Sequence, residues 1–84
     1  MKKAQYSEIK NFILENSDLG EITDRRTQLF MIHHVMETAA KWKKKIKRDL
    51  TLKDFQEFDD AYTGGKISED ELEKLGYYVD QVLK

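Results

Sequence analysis

"LFMIHHVMETAAKWKKKI", residues 29–46, decides the fold, because Leu29, Ile32, Val35, Met36, Ala39, Trp42 and Ile46 follow one another chiefly at intervals of three and four. A helix of about 3.6 residues per turn returns such side chains to one face, whereas a strand would alternate them at two. Thr23 stands where a hydroxyl can cap this helix, and the apolar stripe carries it into the basic segment that follows. About twenty-five residues at roughly 1.5 Å each make a spine of roughly 38 Å, against which the rest of the chain must pack.

The flanking segments read the same way. Residues 4–16 put Tyr6, Ile9, Phe12, Ile13 and Leu14 mostly on one face. Asn16 and Ser17 then open a turn in which Gly20 permits a positive φ. In "DLTLKDFQEFDDAY", residues 49–62, Asp49 or Thr51 caps a short helix whose inward face is Leu52, Phe55, Phe58 and Ala61. Ser68 followed by Glu71 has the spacing of a capping box. A fourth helix follows with Leu72, Leu75, Val79, Val82 and Leu83 inward and Gly76 as its weak or closely approached point. With no proline and four glycines, the expected fold is all-α: a compact bundle of about four helices around one long central helix, a single domain over residues 1–84.

A domain of 84 residues buries only a modest fraction of its surface, so a large enclosed active site is not expected. The absence of cysteine removes disulfides and thiolate metal sites, and the cytoplasm is the expected location. In "MKKAQYSEIKNFILEN", residues 1–16, charged and amide groups interrupt the apolar residues, unlike a signal peptide, and no segment approaches a membrane span. The net charge of −1 hides a division: residues 1–50 hold eleven Lys and Arg against seven Asp and Glu, and residues 51–84 hold four against nine. Two faces of opposite sign would select different partners.

"DDAYTGGKISEDEL", residues 59–72, places Gly65, Ile67, Ser68 and Glu71 behind Asp60, with Phe55 and Phe58 ahead of it. "ENSDLGEITDRR", residues 15–26, repeats the pattern with Gly20, Ile22 and Thr23. In these residues the chain resembles a degenerate pair of EF-hands, with loops at 15–26 and 59–71. The resemblance implies an EF-hand-like arrangement of helices and a calcium site at Asp60, Ser68 and Glu71. The departures fall on the ligands: Tyr62 and Gly64 stand where an EF-hand loop supplies oxygens, and Arg26 ends the first loop. A glycine, an apolar anchor and a Ser or Thr cap are also what a short turn between two helices needs. On that reading there is no metal site and no cofactor.

The other conspicuous segment is "KWKKKIKRD", residues 41–49, with six basic residues among its first eight. On a continued helix Lys43, Lys44, Lys47 and Arg48 project as a band beside Trp42 and Ile46 that can neutralise phosphates, Lys41 and Lys45 complete the candidate nucleic-acid contacts, and Trp42 can stack on a base. The plainer reading is a solvated helix end whose lysines meet the negative pole of the dipole. His33 and His34 are neighbours, so their side chains diverge by about 100° and do not chelate one ion in the usual way. No cysteine nucleophile, Gly-x-Ser-x-Gly elbow, phosphate loop or placed carboxylate pair supports catalysis. The chain is not expected to be an enzyme.

The expectation that remains is a small interaction module, a regulator or inhibitor of a partner protein. Its size and charge are those of inhibitors carried by phages and other mobile elements, anti-defence proteins among them. Its partner-binding face would be acidic, with Asp54, Glu57, Asp59, Asp60, Glu69, Asp70 and Glu73. Phe30, Trp42, Tyr62, Tyr77 and Tyr78 are the aromatic interface candidates, since aromatics contribute much of an interface's energy. The alternatives are nucleic-acid binding through residues 41–48, calcium binding, and a homodimer through Trp42 and the tyrosines. No membrane partner is expected.

Overall fold

The computed structural model describes residues 3–76. Its four helices are α1 (Lys3–Asn16), α2 (Arg25–Trp42), α3 (Leu52–Thr63) and α4 (Glu69–Lys74), with 3₁₀ turns at Asp18–Glu21 and Lys47–Asp49. The chain is an all-α compact bundle with a radius of gyration of 12.0 Å, as expected for a packed chain of this length. Tyr77, Tyr78, Val79, Val82 and Leu83 lie outside the described residues.

The core forms where the helical stripes meet. Ile9 and Ile13 of α1, Ile32, Met36 and Ala39 of α2, and Phe55 and Phe58 of α3 are buried. Leu50, fully buried between the second 3₁₀ turn and α3, joins them although no periodic stripe contains it. Each side chain of this size contributes roughly 1.5–3 kcal/mol when withdrawn from water, so these few residues dominate the stability of the domain.

α1 ends in a tight hydrogen-bonded knot. Asn16 Nδ2 donates to the Phe12 carbonyl at 2.8 Å, and the Ser17 hydroxyl donates to Ile13 at 2.7 Å while accepting from Leu19 N–H. Gly20 follows without the positive φ its type suggests; Gly65 and Gly76 are the glycines with positive φ. Gly20 is needed instead for space, because a Cβ there would lie 2.7 Å from the Leu14 carbonyl oxygen. Gln28 of α2 reaches back to the Leu19 carbonyl at 3.0 Å and fastens the turn to the bundle.

α2 departs from expectation at both ends. Its cap is Asp24 rather than Thr23, with the carboxylate accepting from the N–H of Thr27 at 3.3 Å and from its hydroxyl. A carboxylate at this position also meets the positive end of the helix dipole. The helix has 18 residues and stops at Trp42, short of the basic segment. Lys44 takes a left-handed conformation, φ 60°. Lys45 N–H bonds Ala40 and Lys44 N–H bonds Lys41, the two reversed bonds of a Schellman ending. The chain turns back towards α3, and Ile46, read as part of the buried stripe, is 54% exposed.

Thr51, not Asp49, caps α3, and here the reciprocal capping box is complete: Thr51 Oγ1 accepts from Asp54 N–H and Asp54 Oδ2 from Thr51 N–H, both at 3.1 Å. α3 closes with a second Schellman ending, this one on Gly65 with φ 71°. Ile67 then anchors the turn in the core, and Ser68 caps α4 by accepting from Glu71 N–H at 3.1 Å. α4 spans six residues with Leu75 as its C-cap and Gly76 following at φ 85°; the remainder of the expected fourth helix lies outside the described residues.

Candidate partner-binding site

The basic segment is not a band along a helix. Beyond the left-handed Lys44 the chain doubles back over the start of α3, which brings lysines onto carboxylates. Lys45 Nζ lies 2.7 Å from Asp54, and Lys43 bonds Glu57 with Asp54 at 3.8 Å. Lys47 is placed between Glu37, at 3.9 Å, and His33 Nδ1, at 3.3 Å. Lys41, Lys44 and Arg48 are the exposed cations of the segment that have no ion partner among the described residues.

The seven carboxylates read as one acidic face divide in the same manner. Asp54 is buried, and burial alone would push its carboxyl up; the bonds from Lys45 and Thr51 hold it below its ordinary value. Glu57 is likewise held low by the hydrogen bond from Lys43. These two belong to the architecture. Asp59, Asp60, Glu69, Asp70 and Glu73 carry no ion pair among the described residues, and all but Asp59 are exposed.

Asp59 is half-buried, and its pKa is raised by that burial and further by the charge of Asp60. It lines a cavity of about 280 Å³. The walls come from Phe12, Ile13, Asn16 and Ser17 at the end of α1, Asp18 and Leu19 of the first 3₁₀ turn, Val35 of α2, and Phe55, Phe58 and Tyr62 of α3. Aromatic contacts fix the floor: Phe12 meets Phe55 edge-on at 5.9 Å between centroids, and Phe58 stacks with Tyr62 at 6.3 Å. Trp42 supports the cluster from the α2 side, edge-on to Phe58 at 5.8 Å, with Lys43 Nζ 5.7 Å from its ring centroid. Of the aromatic candidates, Trp42 and Tyr62 therefore belong partly to this cluster. Phe30 stands apart, 68% exposed and stacked with His34 at 6.4 Å. Tyr77 and Tyr78 lie outside the described residues.

The histidines point to different neighbours. His33 stacks on Tyr6 at 5.2 Å and its Nε2 lies 3.3 Å from the tyrosine hydroxyl. Desolvation and the charge of Lys47 hold its pKa below the usual histidine value. His34 is also held low, by desolvation and by Lys41.

Of the residues implied in a calcium site, Asp60 belongs to α3, which is helical through Thr63, so the first five positions of a loop beginning at Asp59 are helix. Ser68 and Glu71 are joined by the α4 cap. Among the described residues no group of three or more Asp, Glu or His side chains is arranged to hold a metal ion, and no helix is long and apolar enough to cross a membrane.

Comparison with known proteins found no matching family model, no matching curated protein and no matching solved structure.

The sequence reading placed Asp59 with the acidic residues and Phe12, Phe55 and Phe58 with the core, but did not bring them together. The only signal was an acid beside the inward aromatic Phe58, a position at the edge of a buried stripe rather than at its solvated centre.

Proposed function

We propose that this chain is a non-catalytic interaction module that regulates or inhibits a partner protein through the carboxylates of the second half of α3 and of α4. The observation that carries this reading is the larger unpaired remainder on the acidic side: among the described residues three of the six cations of residues 41–48 are without an ion pair, against five of the seven acidic candidates. Lys43, Lys45 and Lys47 have carboxylates of the same chain within 4 Å, whereas Asp59, Asp60, Glu69, Asp70 and Glu73 have no cation there among the described residues. Carboxylates without an ion pair are ready for an oppositely charged surface even with Lys74 beside Asp70 and Glu73, and such charge accelerates encounter more than it adds to affinity. The partner surface is basic, of the sort that also receives nucleic acid.

The test is capture from nuclease-treated extract of the source organism with the tagged chain and with a variant carrying Asp60→Lys, Glu69→Lys, Asp70→Lys and Glu73→Lys. A protein retained in stoichiometric amount by the first and lost by the second, at unchanged helicity, is the expected result. Equal retention by both excludes the acidic surface. A partner lost on nuclease treatment transfers the function to Lys41, Lys44 and Arg48.

A further inference from the structure

The groove beside α3 and the charge of Asp59 together restrict what the partner presents. The polar groups at the groove's rim are mostly satisfied within the chain: Asn16 donates to Phe12, and the Ser17 hydroxyl both donates to Ile13 and accepts from Leu19. The Asp59 and Asp18 carboxylates, in contrast, have no hydrogen bond or ion pair among the described residues. A ligand entering the groove therefore meets apolar and aromatic walls and two acceptors. A cavity of about 280 Å³ lies just below the range of roughly 300–1,000 Å³ usual for small-molecule sites, and suits one or two inserted side chains.

We propose that this groove docks a basic-apolar segment of the partner protein: an aromatic or aliphatic side chain enters between Phe12, Val35, Phe55 and Phe58, and a neighbouring Arg or Lys pairs with Asp59. This rests on the reading of the chain as an acidic interaction module, and it names the chemistry that module receives. Charge complementarity selects the occupant. An acidic or neutral segment leaves the half-buried Asp59 without a partner, whereas a guanidinium supplies paired N–H donors to a carboxylate in a poorly hydrated place. The apolar anchor supplies the central contact and Asp59 the preference for sign, the usual division between a buried hot spot and its charged rim.

The charge that raises the Asp59 pKa beyond its burial is Asp60 on its own helix; Asp18 and Tyr62 are the other titratable residues lining the groove, and Phe12, Ile13, Asn16, Ser17 and Val35 do not titrate. With burial and an anionic neighbour both acting against its charge, a bound cation stabilises the ionised form of Asp59, and binding weakens as pH falls through its raised pKa.

The full chain, isotopically labelled, is titrated by NMR with N-acetyl-Phe-Arg-amide, N-acetyl-Phe-Gln-amide and N-acetyl-Ser-Arg-amide. The first peptide is expected to shift the signals of Phe12, Val35, Phe55 and Asp59 and to bind about tenfold more tightly than either of the others, the ratio a charge-assisted hydrogen bond or a lost apolar anchor produces. Asp59→Asn is expected to abolish the preference for Arg over Gln while the remaining spectrum stays in place, and Asp60→Asn to retain most of it. Equal affinity for the Arg and Gln peptides, shifts confined to another surface, or no shift at about 10 mM peptide overturns the proposal. The outcomes separate the two readings. A silent groove with partner capture still lost on charge reversal at Asp60, Glu69, Asp70 and Glu73 removes the groove and leaves the acidic module. A responsive groove with capture unaffected by that reversal retains the groove and removes α4.

Discussion

Asp54 and Asp59 lie on the same helix, five residues apart, and have opposite roles. Asp54 lies at the start of α3, bonded to Thr51 and Lys45 and buried to 7% exposure. Asp59 lies in its second half, beside an aromatic groove, with no cation near it among the described residues. Burial acts against the charge of both. At Asp54 the hydrogen bonds and the ammonium group offset it and the pKa falls; at Asp59 nothing does and the pKa rises. The difference separates a carboxylate that holds the fold together from one that awaits something outside it.

Removing Asp54 is the largest expected effect. Asp54→Ala takes away half of the capping box and leaves Lys45, with Lys43 close by, facing an uncharged site. A lost cap costs about 1 kcal/mol, and breaking an ion pair whose lysine is exposed adds up to about 1 kcal/mol more, roughly 2 kcal/mol in all. Urea unfolding measures it; a loss below about 1 kcal/mol would place Asp54 with the solvated acids and end the contrast. The pH dependence has a definite sign. Because the folded pKa of Asp54 lies below its unfolded value, its stabilisation is complete above the ordinary Asp range and disappears as pH falls through the lowered folded value.

Lys44→Gly tests the basic side of the comparison. The Schellman ending of α3 rests on Gly65, but that of α2 places a lysine at φ 60°, where a side chain costs roughly 1 kcal/mol. Glycine at 44 is expected to stabilise the chain by somewhat less, since it also frees the unfolded state. No change in the unfolding midpoint would mean that Lys44 has compensating contacts, and that the turn of the basic segment towards α3 has a further cause.

Asp59→Asn has a smaller effect of the opposite sign to that at Asp54. The isosteric amide removes a half-buried charge repelled by Asp60, and stability at neutral pH rises by a few tenths of a kcal/mol, as expected for a partly exposed site. Because the folded pKa of Asp59 lies above its unfolded value, its ionised form destabilises the native state only above that range. The gap between wild type and variant therefore closes as pH falls from the raised folded pKa to the ordinary Asp value. A gap that widens on acidification would assign Asp59 a hidden partner.

The four-helix fold was legible in the sequence because its signals are local. The stripes of α1 and α3, and Ser68 at the start of α4, follow from spacing and cap chemistry alone. What was not legible is decided by contacts between distant segments. Lysine is a good helix former and Ile46 fits the period of α2, so nothing local ends that helix at Trp42; the ending takes a left-handed lysine, with Asp54 and Glu57 receiving the returning chain. The capping box of α3 was missed for a smaller reason, since its N3 residue is Asp54 rather than the usual Glu or Gln. By composition Asp54 and Asp59 are alike. Their difference depends on Lys45, nine residues back, and on a groove whose walls come from α1, the first 3₁₀ turn, α2 and α3.

The smallest expected effect concerns nucleic acid. If Lys43, Lys45 and Lys47 remain on Glu57, Asp54 and Glu37, three cations of the segment are left to meet phosphates: Lys41, Lys44 and Arg48. Each phosphate neutralised on a single strand contributes about 0.7 to the slope of log affinity against log salt, so the slope should not exceed about 2 in magnitude. Fluorescence anisotropy with a labelled oligonucleotide between low and moderate salt measures it directly. A slope near 4 would mean that all six cations leave their carboxylates on binding. Asp54 would then lose the ammonium group that helps to keep its pKa low, and the capping-box N–H groups of Thr51 and Asp54 should exchange faster in the nucleic-acid complex than in the free chain.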